Sequence, residues 1–522
     1  MARRVRRFGA LGLLPVLLVA ALLAASDSPE YTRAAAMVRD GEWDQAIGVL
    51  QPLLKSSPNN PKVLNLLGLA LTGKGDLTEA NKEFLSALEV DASFYPALKN
   101  LAINELTLKQ PESAEKHLAA ALRFAPRDPV CHAYLGALAF HRHDYKQAEE
   151  HFDMAGTFVA NLPGIRLDAV EGYLGTDRKQ KALDMLNQIG SRTMDTQELF
   201  RAGYALARTD LYGEAISYFQ AVRDRSPQSY DAAFNLAVCF TRTRQFPAAI
   251  TLLTALRESG DKTAEVDNLL AAAYEGDKQT QRATEMLREA ATLAPLDENN
   301  YLDLAAVCSD HEAYDLAIET LNVGLHYLPN SDRLIFQRGV IRAMMGQFDR
   351  AESDFELSSS LAPEKDLAYV GLGITYMEKS TLPQAVSLLR KRTREKPDDY
   401  LLRYLLGEAL IRSGARPGDP EMTEAQTALE ESVRLNPNFS RSRIDLGKVL
   451  LKQNRVDEAV QQLERARELD PNDKAVYSQL AAAYQRNGRD KEATAMLAMV
   501  TKLNDEQRER ETHDRLRIVR AD

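Results

Sequence analysis

The sequence predicts an all-α protein, built as an α-solenoid of about fourteen helix-turn-helix units. Three observations predict this fold class: a period of 34 residues that continues along most of the chain, small residues at fixed places in each period, and a composition that suits solvated helices. Of the 522 residues, 45% are apolar and 27% are charged, but only 7% are aromatic. Runs of Val and Ile bounded by turns, which would indicate sheets, are scarce.

The small residues recur where two helices of one unit would cross. A Leu-Gly or Leu-Ala pair stands midway along most of the predicted first helices, as at Leu67-Gly68, although the fifth unit has Ala169-Val170 there. Another small residue follows twelve places later, as at Ala80. A bulkier residue at the crossing would force the two helices apart. Four places further on, Phe or Leu is expected to fill the core of the pair, as at Phe84, and a proline often ends the unit, as at Pro126.

This pattern resembles the tetratricopeptide repeat family over about residues 27–507. The resemblance implies a right-handed superhelix, with units 1–5 in residues 27–195, units 6–11 in residues 196–399 and units 12–14 in residues 400–507. The first and fifth units are the weakest matches, and the twelfth carries six extra residues around Gly414–Thr423, which predict a longer loop. Residues 508–522 are expected to extend the last helix as a charged C-terminal cap.

The first 26 residues predict a secretory signal peptide. Four arginines within the first seven residues precede a nearly unbroken apolar stretch from Phe8 to Ala25, and Ala24-Ala25-Ser26 offers a cleavage pattern of small residues. The same stretch is also marginally long enough to stay as an uncleaved anchor. In both cases we expect the rest of the chain to be exported in a bacterium, to the periplasm or the outside, or held at the inner membrane.

No catalytic pattern is found in the sequence, so no enzyme and no cofactor are predicted. The chain lacks a Gly-rich phosphate loop and the HExxH and GxSxG motifs. Its three cysteines lie far apart, which favours buried thiols over a disulfide or zinc site. Four histidines, His132, His141, His143 and His151, share the fourth unit, and surface or packing roles are favoured over metal binding. A net charge of −10 disfavours nucleic-acid partners.

The resemblance also implies where a partner would bind. In the family, the fifth and ninth places of successive first helices line a concave groove. Here an apolar and aromatic stripe occupies these places, and its candidate protein-binding residues are Phe200, Tyr204, Phe234, Val238, Phe336, Val340, Ile374 and Tyr404. Scattered cations accompany the stripe: Arg201, Arg242, Arg333 and Arg441. The alternative is that the stripe packs adjacent first helices together.

These expectations predict a non-catalytic scaffold of the bacterial cell envelope that binds protein or peptide segments. Assembly of a pilus, a secretion machine or a polymer-export machine would suit such a scaffold. An accessory subunit of an envelope enzyme complex and a structural spacer without a groove ligand are the alternatives. The sequence does not indicate an oligomeric state, and a membrane contact is expected only through an uncleaved N-terminal segment.

Overall fold

The computed structural model describes residues 28–519, with side chains described for residues 28–506. Twenty-eight α-helices and no strand occur in this range, which confirms the predicted all-α class. The helices form two compact parts: an N-terminal part up to Lys262 together with Ala272–Asp277, and a C-terminal part of Thr263–Ala271 and the residues from Lys278 onward. The signal segment, residues 1–26, lies outside the described residues.

The first seven repeats belong to the N-terminal part. Their helices are α1 (Pro29–Arg39), α2 (Trp43–Ser56), α3 (Pro61–Lys74), α4 (Leu77–Val90), α5 (Tyr95–Thr107), α6 (Pro111–Phe124), α7 (Pro129–His141), α8 (Tyr145–Ala155), α9 (Arg166–Gly175), α10 (Lys179–Ile189), α11 (Thr196–Arg208), α12 (Tyr212–Arg225), α13 (Tyr230–Arg242) and α14 (Phe246–Glu258). Short 3₁₀ helices at Gly156–Asn161 and Ser191–Thr193 flank the fifth repeat, whose two α-helices have only 10 and 11 residues.

The remaining seven repeats follow the same helix-turn-helix plan. Their helices are α15 (Ala264–Gly276), α16 (Thr280–Leu293), α17 (Glu298–Asp310), α18 (Tyr314–Tyr327), α19 (Asp332–Met344), α20 (Phe348–Leu361), α21 (Leu367–Glu378), α22 (Leu382–Glu395), α23 (Tyr400–Arg412), α24 (Pro420–Leu435), α25 (Ser440–Lys452), α26 (Val456–Leu469), α27 (Lys474–Arg486) and α28 (Asp490–Val519). The last helix runs through the predicted C-terminal extension as far as Val519.

The small residue of each first helix makes room for a large side chain of the second. A Cβ atom added at Gly68 would lie 2.5 Å from Cε1 of Phe84, whose side chain is fully buried. Phenylalanine stands at this second-helix place only opposite glycine, in the pairs Gly68–Phe84, Gly136–Phe152, Gly203–Phe219 and Gly339–Phe355. Where the first helix carries alanine, as at Ala102, leucine stands there instead, as at Leu118. The predicted crossing is therefore a matched pair of side-chain sizes.

The turn between the two helices is left-handed in every repeat of the described chain. Counting from the first residue of each repeat, the fifteenth place has a positive φ in all fourteen: five are glycines, such as Gly346, and nine are other residues, such as Glu312. In the second repeat the N–H of Asp76 then donates to the carbonyl of Leu71 at 2.9 Å. This geometry ends the first helix and satisfies its last carbonyls.

Side-chain caps fix many of the helix starts. Asp128, for example, accepts hydrogen bonds from the N–H groups of Val130 and Cys131 at the start of α7, at 2.9 and 3.0 Å. Such caps satisfy N–H groups that have no partner within the helix. The first helices of successive repeats also contact each other, for instance α9 with α11 and α11 with α13. Within each of the two parts, contacting first helices therefore present a shared face, here called the first-helix face.

The six extra residues of the twelfth repeat have a defined structure. Seven residues, 413–419, separate α23 from α24, whereas three residues separate α25 from α26 in the next repeat. Helix α24 has 16 residues, two more than α26. Four of the extra residues thus lengthen the loop and two lengthen the helix, so the predicted longer loop is confirmed.

Candidate functional site

The aromatic residues predicted on α11 lie together on the first-helix face. Helix α11 begins with a capping box in which Asp195 and Glu198 each accept a hydrogen bond from the other's backbone N–H. Phe200 and Tyr204 are four residues apart, so they share one side of the helix, and their rings are parallel within 11° at 6.3 Å between centroids. Phe200 is half-buried with its edge against Phe219, while Tyr204 is 45% exposed. Tyr204 therefore offers an aromatic surface to solvent.

Helix α13 carries a second stacked pair, which lies four places earlier in its repeat than the pair of α11. Phe234 lies 5.8 Å from Tyr230 with the two rings parallel within 16°. Phe234 and Val238 are both half-buried. Because α11 and α13 are in contact, the two stacked pairs lie on neighbouring helices of the N-terminal part. We call this region the α11/α13 face, and its anchors are Phe200, Tyr204, Phe234 and Val238.

Two arginines end the helices of the α11/α13 face. Arg208 is the last residue of α11 and Arg242 the last residue of α13, so they occupy the same place in adjacent repeats. Both are exposed, and neither forms an ion pair with a described carboxylate. The Arg208 guanidinium lies 6.0 Å from the centre of the Tyr204 ring, at the outer range of a cation–π contact. These charges are available to an acidic group of a ligand.

Arg201, another predicted cation of the stripe, is already paired. Its guanidinium donates to Asp168 at 2.6 Å and to Glu171. Asp168 is buried, and its second oxygen lies 3.2 Å from Nε2 of His141. The hydrogen bond with Asp168 raises the pKa of His141, while burial raises the pKa of Glu171. These four side chains join α7, α9 and α11, so Arg201 holds first helices together instead of facing a ligand freely.

The predicted residues of the C-terminal part are mostly packed. Phe336 is half-buried with its ring 5.6 Å from that of Phe355, and Val340 is half-buried beside the same cluster. Ile374 is 43% exposed. Tyr404 is only 8% exposed, because its ring packs edge-on against Phe439 at 5.2 Å, and burial raises the pKa of its hydroxyl. Packing between helices therefore accounts for Tyr404, which does not belong to a solvent-facing stripe.

The other two cations of the stripe lie on the C-terminal part. Arg333 is half-exposed and donates to Glu298 at 2.5 Å. Arg441 is exposed near the start of α25. The α11/α13 face combines one exposed aromatic side chain, Tyr204, with two cations that form no ion pair with a described carboxylate.

The histidines of the fourth repeat pair in a way that the sequence analysis did not predict. Nδ1 of His151 lies 3.0 Å from Nδ1 of buried His132, whose Nε2 lies 3.0 Å from the carbonyl of Pro126. The Pro126 carbonyl can only accept, so it assigns the proton of His132 to Nε2 and leaves Nδ1 to accept from His151. No group of three His, Cys, Asp or Glu side chains in the described range is placed to hold a metal ion.

The cysteines lie in the core. Cys131, Cys239 and Cys308 are buried free thiols. Burial raises the pKa of Cys131 to about 12 and that of Cys239 to about 11. Such thiols stay protonated at neutral pH and are poor nucleophiles.

Among residues 28–519, no helix combines the length and the hydropathy that a membrane span needs.

Comparisons with known proteins identify the repeat. Models of the tetratricopeptide repeat match residues 31–96, 209–273 and 421–483. Mouse tetratricopeptide repeat protein 21A is 23% identical over 483 residues, covering 79% of this chain and 35% of the relative. The BBSome complex member BBS4 homolog of Drosophila melanogaster is 23% identical over 296 residues, covering 53% of this chain and 58% of the relative. The chain therefore spans less than two thirds of the length of either relative.

The chain also matches solved structures over different shares of its length. The crystal structure of yeast Tom70 is 16% identical, with a TM-score of 0.38, and the match covers 94% of this chain and 95% of Tom70. The crystal structure of MamA protein is 21% identical, with a TM-score of 0.29, and the match covers 34% of this chain and 94% of MamA.

Proposed function

We propose that this chain, which belongs to the tetratricopeptide-repeat family, binds peptide segments of partner proteins on the α11/α13 face. Members of this family are generally non-catalytic scaffolds for protein–protein interaction. The observation that carries the proposal is the coincidence of two stacked aromatic pairs with two unpaired arginines on neighbouring first helices. Aromatic anchors beside arginine are the side chains that most often dominate protein interfaces.

The geometry favours a particular kind of ligand. Tyr204 and the half-buried rings of Phe200 and Phe234 offer a hydrophobic surface for apolar side chains of the segment. Arg208 and Arg242 stand at the C-terminal ends of the two helices, where they can pair with carboxylates of the same segment. The proposed ligand is therefore a segment in which an apolar or aromatic residue is followed by acidic residues.

A spacer without a ligand would not need this surface. An exposed tyrosine by itself is ordinary on a protein surface. Here, however, the exposed ring is stacked on a second ring and faces a cation that has no carboxylate partner in the described range. The combination favours the peptide-binding scaffold over the spacer.

The binding test begins by selecting peptides from a displayed library on the full chain, and then measures their affinity for variants. We expect Tyr204→Ser to weaken binding about tenfold, since burying an aromatic side chain contributes about 1.5–3 kcal/mol. Arg208→Glu combined with Arg242→Glu should weaken the binding of acidic peptides by at least as much and reduce its salt dependence.

Matched controls separate binding from folding. Tyr327→Ser removes a tyrosine of similar exposure, 48%, from the second helix α18, and Arg123→Glu reverses an exposed cation on the second helix α6. Both controls should bind the selected peptides as the unmodified chain does. Equal affinity of the Tyr204 and Tyr327 variants would contradict the proposal and favour the spacer.

For location, the proposal is an exported scaffold of the bacterial cell envelope, either in the periplasm or outside the cell, or anchored in the inner membrane. Its support is the cationic and then apolar sequence of residues 1–26. Assembly of a pilus, a secretion machine or a polymer-export machine would use such a scaffold, as would an envelope enzyme complex with this chain as an accessory subunit. Fusion of residues 1–26 to alkaline phosphatase should give periplasmic activity in a bacterial host, and an inactive cytoplasmic fusion would contradict export.

A further inference from the structure

An open cleft lies in the C-terminal part, between residues of α22, α23 and α24. Helix α22 forms one wall, Leu410 of α23 lies at the base, and Glu421 in the first turn of α24 forms the opposite side. The cleft has a volume of about 870 Å³, within the usual range for ligand sites. We call it the α22–α24 cleft.

The α22 wall carries a row of cations. Arg390, Lys391 and Arg394 all line the cleft, and Arg390 and Arg394 are four residues apart on one side of the helix. Arg390 is held by Glu424 through two hydrogen bonds of 2.8 and 2.6 Å, which tie α22 to α24. This pair fixes the spacing of the two walls.

The other two cations are largely unneutralised. The side chain of Lys391 is 74% exposed, and its ion-pair contact with Glu395 is long, at 4.0 Å. Arg394 is exposed and forms no ion pair with a described carboxylate. Two carboxylates also line the cleft: Glu395, which accepts from Arg392 at 2.7 Å, and Glu421. The available positive charge is therefore concentrated at Lys391 and Arg394, in a chain whose net charge is −10.

The floor of the cleft is apolar. Leu382, Pro383 and Val386 line it from α22, and Leu410 lines it from α23. A site that bound only phosphate or sulfate would need no such floor. An apolar floor beneath a cationic wall is instead complementary to a peptide that carries both leucine-like and acidic side chains.

The loop of the twelfth repeat connects Ser413 and Glu421, two residues that line the cleft. The backbone N–H of Arg416 donates to Asp419 at 2.8 Å within the loop, and Gly414 and Gly418 both adopt positive φ. The loop thereby leads into the longer helix α24 at Pro420, next to Glu421. Insertions in repeat proteins lie in loops on one face, which is often the binding face.

We propose that the α22–α24 cleft binds an acidic peptide segment of a partner protein, with an apolar side chain on its floor and carboxylates on Lys391 and Arg394. This site is independent of the proposed α11/α13 face. The net negative charge of the chain repels a nucleic-acid backbone over most of its surface, which favours the peptide over an oligonucleotide.

The test uses the full chain and a fluorescein-labelled decapeptide of alternating glutamate and leucine, measured by fluorescence anisotropy. We expect Lys391→Glu combined with Arg394→Glu to weaken binding at least tenfold, and the milder Lys391→Gln with Arg394→Gln to weaken it less. A control that reverses Arg434 and Arg465, which are exposed cations paired within their own helices, should bind within about twofold of the unmodified chain.

Peptide composition and competition complete the test. A peptide with serine in place of leucine should bind more weakly because it cannot occupy the floor, and one with lysine in place of glutamate should not bind. Unchanged binding by the Lys391 and Arg394 variants, or equal binding of the lysine peptide, would overturn the proposal. Competition by a single-stranded oligonucleotide of matched charge, as effective as that of the unlabelled acidic peptide, would also overturn it in favour of general anion binding.

Discussion

Replacing Gly68 with alanine should loosen the second repeat, even though alanine favours helices over glycine. The new Cβ atom would lie 2.5 Å from Cε1 and 2.7 Å from Cδ1 of Phe84. Ordinary contacts between carbon atoms are about 3.5–4.0 Å, so the ring would have to retreat by about 1 Å. It has no room to do so, because buried Leu64, Ala87 and Leu101 belong to the same cluster.

The expected loss of local stability in Gly68→Ala follows from two opposing effects. Overpacking a core costs about 1–3 kcal/mol, and a contact of 2.5 Å places this change in the upper part of that range, at about 2–3 kcal/mol. Alanine gains about 1 kcal/mol over glycine inside a helix. The net loss should be about 1–2 kcal/mol, so α3 and α4 should open about 5–30 times more often. Hydrogen exchange followed by mass spectrometry on the full chain measures this locally, which matters because long repeat arrays do not unfold in one step.

Two further variants make the reasoning refutable. Gly48→Ala, in the middle of α2 where no atom lies within 4 Å of the new Cβ, should slow exchange of α2. Gly68→Ala with Phe84→Leu should recover much of the lost protection, because alanine and leucine occupy these two places in other repeats, as at Ala102 and Leu118. Unchanged hydrogen exchange in Gly68→Ala would refute the size-matching account. A double variant whose loss of protection equals the sum of the losses in Gly68→Ala and Phe84→Leu alone would also refute it.

Two other predictions concern the turns and the histidine pair. Glu312→Gly should raise the free energy of local opening of α17 and α18 by about 0.5–1 kcal/mol, because Glu312 has φ +59° and a left-handed conformation strains any residue with a Cβ. Gly346→Ala should lower the free energy of local opening of α19 and α20. Hydrogen exchange that changes in the same direction in both variants would contradict this prediction. Burial, followed by the charge of His132, lowers the pKa of His151, so the folded state disfavours its charged form and stability is lost as pH falls below the ordinary histidine value of about 6.5. The thermal midpoint should therefore fall less between pH 7.5 and 5.5 in His151→Gln than in the unmodified chain. The opposite contribution of His141 is present in both of these proteins. An equal fall in the two proteins would show that His151 is not responsible.

The repeat fold could be predicted because its steric demands recur at fixed spacing. Glycine or alanine stands at the helix crossing of every repeat but the fifth, which has Val170, and the structure shows the ring or branched side chain that packs against it. The left-handed turn was missed, although glycines such as Gly41, Gly75 and Gly414 all stand at the fifteenth place. Nine other residues fill this place in the remaining repeats, which conceals the shared backbone conformation.

The site was less predictable because periodicity gives the side of a helix and not the depth of a residue. Tyr204 and Ile374 both stand at ninth places and are exposed, whereas Tyr404 stands at a fifth place and is covered by Phe439 of the next connection. The pairing of Arg201 depends on Asp168, 33 residues earlier. Net charge, which averages over the whole chain, also concealed the short cationic row of α22.

The most direct test of the α11/α13 face is site-specific photo-crosslinking to a peptide selected on the full chain. A photoreactive phenylalanine analogue replaces Tyr204 in one protein and Tyr327 in another, since both positions are exposed to a similar extent, 45% and 48%. The proposed function predicts a crosslink from position 204 that excess unlabelled peptide abolishes, and none from position 327. Specific crosslinking at 327 without crosslinking at 204 would contradict binding at the α11/α13 face.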